Sequence, residues 1–204
     1  MALKKGVEVK PAKGKLGILL PGMGAVATTF IAGVQAIRRG LGKPIGSLTQ
    51  LGHIRIGKRT DDHSPAIKDY VSLARLDDIV FGGWDIFPDN AYQAAVRAGV
   101  LDAKHLDPLK DELEAIKPMT AVFEQAYVKN LTGPNVKKGT SKMHLAEQVM
   151  EDIKAFKETH GCDRLVAVWC GSTEVYRKPT DVHSSLDKFE AGLKASHDDI
   201  APSQ

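Results

Sequence analysis

Gly22-Met23-Gly24-Ala25-Val26-Ala27 follows a short apolar run and precedes a helical pattern. The spacing Gly-x-Gly-x-x-Ala suits a diphosphate. The first glycine permits a tight turn, the second lets the backbone approach a pyrophosphate, the small third residue lets helix and strand pack closely, and the helix amino terminus attracts negative charge. A dinucleotide is the expected ligand; the competing reading is a turn and nothing more. An acid that accepts the adenosine ribose hydroxyls normally follows such a turn by about twenty residues. Here it is missing, because residues 41–57 contain neither Asp nor Glu. The best substitute is Asp85 in Gly82-Gly83-Trp84-Asp85-Ile86, where two glycines would leave a ligand room. A turn carboxylate satisfying nearby backbone amides is the equally weighted alternative.

Three further groups invite chemistry. Cys170-Gly171-Ser172-Thr173-Glu174 ends a third apolar run with small and hydroxyl side chains, the place where a parallel sheet holds its ligand. Cys170 itself reads as a buried structural cysteine, since no histidine is obviously paired with it. Arg59, Asp61, Asp62 and His63 form a polar cluster, but none of the seven histidines makes a metal-site spacing with another. That cluster reads as a solvated loop. Asn135-Val136-Lys137-Lys138-Gly139 offers a loop able to meet a phosphate, although such loops are more often merely exposed. Asn130-Leu131-Thr132 matches a glycosylation acceptor, which has meaning only in a secreted chain.

The elements that must position these groups alternate. Residues 15–20 read as a short buried strand, followed by the glycine turn and a helix to about Arg39, with Val26, Phe30, Val34 and Ile37 at helical spacing and Gly40 as its stop. Residues 44–57 alternate polar and apolar side chains and predict extended structure, followed by an exposed loop over 58–64. Residues 76–84 predict a second strand, with Asp89 as the cap of a helix that ends at Gly99. Leu106, Leu109, Leu113 and Ile116 predict one amphipathic helix closed by Pro118. The strongest helical pattern is 141–160, with Leu145, Val149, Met150, Ile153 and Phe156 in one stripe and Gly161 at its end. Residues 164–170 predict a third strand, apolar on both faces as in a covered parallel sheet. Ser184 and Asp187 suggest a capping box for a last helix. Strands alternating with helices imply an α/β fold with right-handed crossovers, its ligand at the carboxyl edge of the strands.

With 204 residues, 43% apolar and 26% charged, the chain is long enough for a real core. At roughly 100 to 200 residues per domain it makes one domain or slightly more. A net charge of +3 lacks the clustered positive charge of a nucleic-acid footprint. Two cysteines cannot staple a domain of this size, so a reducing, cytoplasmic compartment is expected. Residues 16–37 carry no charge, but four glycines, Pro21, Thr28, Thr29 and Gln35 make them too polar for a membrane span. The lysines at 4, 5, 10, 13 and 15 imitate a secretory signal, yet Pro21-Gly22 interrupts the apolar core too early. Residues 1–14 read as a polar arm.

Four ordered segments resemble one family. Leu19-Leu20-Pro21-Gly22-Met23-Gly24-Ala25-Val26, Val80-Phe81-Gly82-Gly83-Trp84-Asp85-Ile86, Asn135-Val136-Lys137-Lys138-Gly139 and Val168-Trp169-Cys170-Gly171-Ser172-Thr173-Glu174 occur in the order seen in inositol-3-phosphate synthases, particularly the bacterial type. The likeness runs from about Lys15 to the last residue. It implies a Rossmann-type parallel sheet with flanking helices over 15–204, incomplete at the C-terminus, and NAD as cofactor. By this resemblance Gly22, Met23, Gly24, Ala25 and Val26 hold the pyrophosphate, Asp85 contacts the adenosine half, and Cys170, Gly171, Ser172 and Thr173 line the NAD cleft. Ala25-Val26-Ala27 departs from the asparagine-bearing loop of eukaryotic members.

The activity implied is isomerisation of glucose 6-phosphate to inositol 3-phosphate without net redox change. In the family the C5 hydroxyl is oxidised, the acidified C6 position closes on the C1 aldehyde, and the ketone is reduced back. The family's proton shuttling depends mainly on lysines and an aspartate. Members are roughly twice this long, and the lysines present here do not match those positions. The chain therefore reads as the amino-terminal part of a synthase, with a homo-oligomer, commonly a tetramer, expected of the whole protein. A non-catalytic NAD-binding module and an ordinary NAD-linked dehydrogenase are the alternatives.

Overall fold

The run Leu16-Gly17-Ile18-Leu19-Leu20 sends successive side chains to opposite faces, and both faces are covered. In the computed structural model, which describes residues 13–204, these residues form β1 (Lys15–Pro21). Ile18 and Leu20 pack with Met23, Ile31 and Phe81 in one cluster. Leu19 packs with Trp84 and Phe156 in a second cluster on the other face. Such two-sided burial explains why the strand reads as a continuous apolar run.

Next comes α1 (Ala25–Arg38). Of the face marked by Val26, Phe30, Val34 and Ile37, Val34 is buried and Ile37 half-buried, and the helix turns a different set of residues to the core. Ala27, Thr28, Ile31, Ala32, Val34 and Gln35 meet the core, while Val26 and Phe30 stay exposed. The alanines let the helix lie close to the sheet, and the larger side chains stand at its flank.

Residues 41–75 form an excursion with no buried residue. The extended structure predicted over 44–57 gives way to a single helical turn, α2 (Leu48–Leu51), and α3 (Ile67–Tyr70) follows later. The excursion is held by its own backbone: the Ile54, Ile56 and Ile67 amides donate to Pro65, His63 and Gly52 carbonyls. A short 3-10 turn over Leu76–Asp78 then leads into β2 (Ile79–Asp85), so the strand starts three residues later than the pattern predicted.

Asn90, not Asp89, caps α4 (Ala91–Ala98), in a reciprocal capping box with Gln93. Gly99 closes the helix at φ +64°. The single helix predicted around Leu106 is broken into α5 (Ala103–Leu106), a 3-10 turn and α6 (Lys110–Glu114). Pro108 sits in the break, where its missing N–H removes a donor from the helix, while Asp107 before it keeps helical angles. Leu106, Leu109 and Leu113 are nevertheless all buried.

β3 (Met119–Thr120) was not predicted, because two residues show no period. Then α7 (Lys142–His160) begins at the Ser141 cap, whose Oγ accepts the His144 amide, and ends at Gly161. Of its predicted stripe, Phe156 is buried and Met150 is exposed. β4 (Cys162–Ala167) corrects the third-strand reading: it is an outer strand, with Val166, Val168 and Trp169 about half exposed. The last helix, α8 (Leu186–Lys194), is capped by Ser185, one residue beyond the predicted cap. Ser184 is engaged in the preceding 3-10 turn, donating to the Asp181 carbonyl at 2.7 Å.

All strand pairs are parallel, in the order β3-β2-β1-β4. This is the first part of the doubly wound dinucleotide-binding order, whose direction reverses between β1 and β4. Among the described residues no helix is long and apolar enough to cross a membrane. The uncharged run 16–37 is spent on β1, the turn and α1. The polar arm read over 1–14 falls, up to residue 12, outside the described residues.

Candidate functional site

The glycine turn is fixed from both sides before any ligand arrives. Gly22 adopts φ +87°, and its N–H donates to the Trp84 carbonyl at 2.8 Å. On the other side the Cys170 N–H donates to the Pro21 carbonyl at 2.8 Å. A Cβ on Gly22 would stand 2.5 Å from the Gly171 Cα, so the two glycines make the close approach possible. Gly24, the residue before α1, is different: a Cβ there would meet nothing within 4 Å. The first turn of α1 contains no acidic residue and, among the described residues, receives no side-chain cap. Its leading N–H groups thus lack intrahelical acceptors and carry the positive end of the helix dipole. An open cradle at Gly24 beside unpaired amides is what a pyrophosphate requires.

The cradle opens into a cavity of about 350 Å³ at the carboxyl edge of the strands. Gly22, Gly24, Asp85, Cys170, Gly171 and Ser172 all line it. Met23 does not: its side chain is buried in the core. Ala25 and Val26 occupy the first turn of α1 with exposed side chains, so their backbone is what they can offer. Thr173 is exposed and lies outside the cavity lining, between Ser172 and Glu174.

Asp85 lies at the carboxyl end of β2, the strand next to β1, which is where the ribose acid of this strand order belongs. The excursion over 41–75 delays that strand, and Asp85 comes 62 positions after Met23. Its carboxylate already accepts two backbone amides, from Met23 at 2.7 Å and Phe87 at 2.9 Å. An ionised carboxylate has about four lone-pair positions, so acceptor capacity remains for ribose hydroxyls. The two readings of Asp85 are therefore compatible. Asp85→Ala should lower NAD affinity and also cost about 2 kcal/mol of stability, since the buried turn loses its acceptor. Titration with NAD beside urea unfolding separates the two; unchanged values in both would remove Asp85 from the site.

Gly82 and Gly83 do not line this cavity; they border a second one of about 290 Å³. A Cβ on Gly82 would lie 2.4 Å from the Phe156 ring, and one on Gly83 would lie 2.2 Å from the Leu20 carbonyl oxygen. Both are packing glycines, facing α7 and β1.

The loop offered to a phosphate is also engaged internally. Asn135 donates through Nδ2 to the Asp85 carbonyl at 2.8 Å and to that of Met119 at 3.2 Å. Lys137 is nine-tenths buried and pairs with Asp152 at 2.8 Å, and the same Asp152 oxygen accepts the Trp84 indole N–H at 2.7 Å. This brace holds the end of β2 against α7. Sequence spacing gave no sign of it, nor of the cavity walls Phe123, Glu124, Val128 and Leu131, which come from the irregular connection between β3 and α7.

Burial pushes the Cys170 thiol above its ordinary pKa. It stays protonated at neutral pH and is a poor nucleophile. Iodoacetamide at pH 7.5 should leave Cys170 unmodified in the folded protein and label it in guanidinium; rapid labelling of the folded form would reverse this assignment. The loop with Arg59, Asp61, Asp62 and His63 is exposed, and Asp61 accepts the Lys58 amide at 2.8 Å. Among the described residues no group of three or more His, Cys, Asp or Glu side chains is placed to hold a metal ion.

Comparison with known proteins agrees with this geometry. Residues 16–204 match the family model for the NAD-binding region of myo-inositol-1-phosphate synthase. The chain is 50% identical to inositol-3-phosphate synthase 1 of Bacteroides thetaiotaomicron over 194 residues, covering 95% of this chain and 44% of that protein. It is 35% identical to inositol-3-phosphate synthase 1 of Oryza sativa subsp. japonica, covering 93% and 40%. The crystal structure of inositol-3-phosphate synthase from Caenorhabditis elegans is similar with a TM-score of 0.83 at 25% identity, covering 95% of this chain and 41% of that one. The chain thus spans less than half the length of these relatives. The glycine turn, the strand order and the family match meet in one conclusion: this chain belongs to the myo-inositol-1-phosphate synthase family and carries its NAD-binding region.

Proposed function

We infer that this chain forms the cofactor-holding part of an inositol-3-phosphate synthase, which converts glucose 6-phosphate to 1D-myo-inositol 3-phosphate as a homo-oligomer in the cytoplasm. The observation that carries the reading is the open cradle at Gly24 beside the uncapped amino end of α1. There the leading amides of α1 would receive the pyrophosphate, with Asp85 at the adenosine ribose and Cys170, Gly171 and Ser172 along the far wall. When bound, NAD supplies a reversible two-electron oxidation, so the sugar can be activated and then returned to its original oxidation state. The chain's own contribution is to hold that group in a fixed place. The Met23–Asp85 and Cys170–Pro21 hydrogen bonds set the turn in advance, which reduces the ordering cost of binding. Trp169, Phe87 and Val149 line the cavity with apolar surface that limits water.

The test is turnover by the full-length protein with glucose 6-phosphate and NAD well below the sugar concentration. Many product molecules per NAD, without accumulating NADH, is the expected result. One NADH per sugar would make the protein a dehydrogenase, and tight NAD binding with no product would make it a binding module.

A further inference from the structure

We propose that Asp89 determines cofactor selectivity by neutralising Arg97, so that the cleft contains a latent site for the 2′-phosphate of NADP that Asp89 keeps closed. The proposal rests on the NAD reading above and deepens it.

Among the described residues lining the main cavity, Arg97 is the single cation, and it shares that lining with the carboxylates of Asp85, Glu124 and Glu174. Two of those acids are already engaged. Glu124 pairs with Lys142 at 3.2 Å, and Glu174 accepts the Ser203 N–H at 3.1 Å and hydroxyl at 2.5 Å. Among the described residues only Glu124 is neutralised by a cation; of the carboxylates that keep their charge, Asp85 is the one linked to Arg97, through Phe87. In dinucleotide-binding sheets the acid after the second strand favours the free ribose, and a nearby arginine accommodates a 2′-phosphate. Arg97 lines the same cavity as Asp85. It comes from the last turn of α4, and its guanidinium lies 4.4 Å from the centre of the Phe87 ring. Phe87 in turn gives its N–H to Asp85 at 2.9 Å. Arg97 is thus one residue removed from the ribose acid.

Its charge is not free, however. Asp89, on the loop ahead of α4, holds the Arg97 Nη1 at 2.5 Å. A phosphate arriving at this end would meet Asp85 and a guanidinium already shared with another carboxylate. Removing the Asp89 charge leaves Asp85 untouched and returns Arg97 to the ligand. It also leaves α4 capped, because the capping box is made by Asn90 and Gln93.

The experiment is calorimetric titration of the full-length protein with NAD and with NADP, in wild type, Asp89→Asn and Asp89→Asn/Arg97→Ala. Both side chains are partly exposed, so the pair has the modest strength of a surface ion pair. The expected result is a rise of roughly fivefold in NADP affinity relative to NAD in Asp89→Asn, lost again in the double variant. An unchanged ratio in Asp89→Asn overturns the proposal, as does a gain that persists without Arg97. Failure of wild type to bind NAD at all would overturn the proposed function itself, and the inference with it.

Discussion

Gly24→Val should abolish measurable NAD binding while leaving the fold intact. Gly24 has φ −84°, a value that any L-residue adopts, and no atom lies within 4 Å of where its Cβ would stand. A Cβ at this position therefore meets no neighbouring atom in the free protein, and the Thr28 amide can still donate to the Gly24 carbonyl. What the valine fills is the space that, on the proposed placement, a pyrophosphate would need to reach the α1 amides. Displacing a charged group by even an ångström from these donors forfeits its charge-assisted hydrogen bonds, and we expect a loss of roughly a hundredfold or more in affinity. The measurement is NAD titration beside thermal unfolding. A variant that unfolds like wild type but binds NAD as tightly would show that the diphosphate lies elsewhere.

Gly83→Ala should behave in the opposite way. Its Cβ would come 2.2 Å from the Leu20 carbonyl oxygen, a backbone atom of the central strand, so no side-chain rotation can relieve the contact. Either β2 moves away from β1 or the parallel ladder over Leu16–Pro21 distorts. The expected cost is about 3 kcal/mol, which for a domain of this size corresponds to a fall of roughly 10 °C in Tm. Urea unfolding checks it. Near-wild-type stability would show that the glycine is not there for packing and would reopen its assignment to a ligand. The adjacent position provides a graded comparison, because a methyl at Gly82 meets the edge of the Phe156 ring, which can shift.

These two glycine sites show how far the sequence could be read. The turn at Gly22 and Gly24 was legible because its function resides in local backbone conformation and in the strand and helix on either side. The pair at 82 and 83 was misread, since its reason lies in neighbours distant along the chain, Leu20 and Phe156. Asp85 was singled out by its place after two glycines at the carboxyl end of the second strand, and the structure puts it at the end of β2. Its bond to Met23 depends on β2 lying beside β1, which no spacing rule revealed once the excursion over 41–75 had intervened. Where a cap acts locally the helix end was read to within a residue, as at Gly161 and Gly99, whereas the end expected at Pro118 came at Glu114. Helix faces were read less well. On α1 the small residues Ala27 and Ala32, rather than the bulky Val26 and Phe30, turned inward, because the distance between helix and sheet decides which side chains fit.

The open side of β4 carries a practical consequence. Leu165-Val166-Ala167-Val168-Trp169-Cys170 is a six-residue stretch with no charge, proline or glycine, and much of it faces solvent along an edge that no strand among the described residues pairs. Edges of this kind template strand addition from other molecules, and such segments are the usual seeds of cross-β assembly. Preparations of this span by itself would therefore have a shelf life limited by fibril or amorphous precipitate, and a lysine at Val166 would act as a gatekeeper without touching the nucleotide cradle.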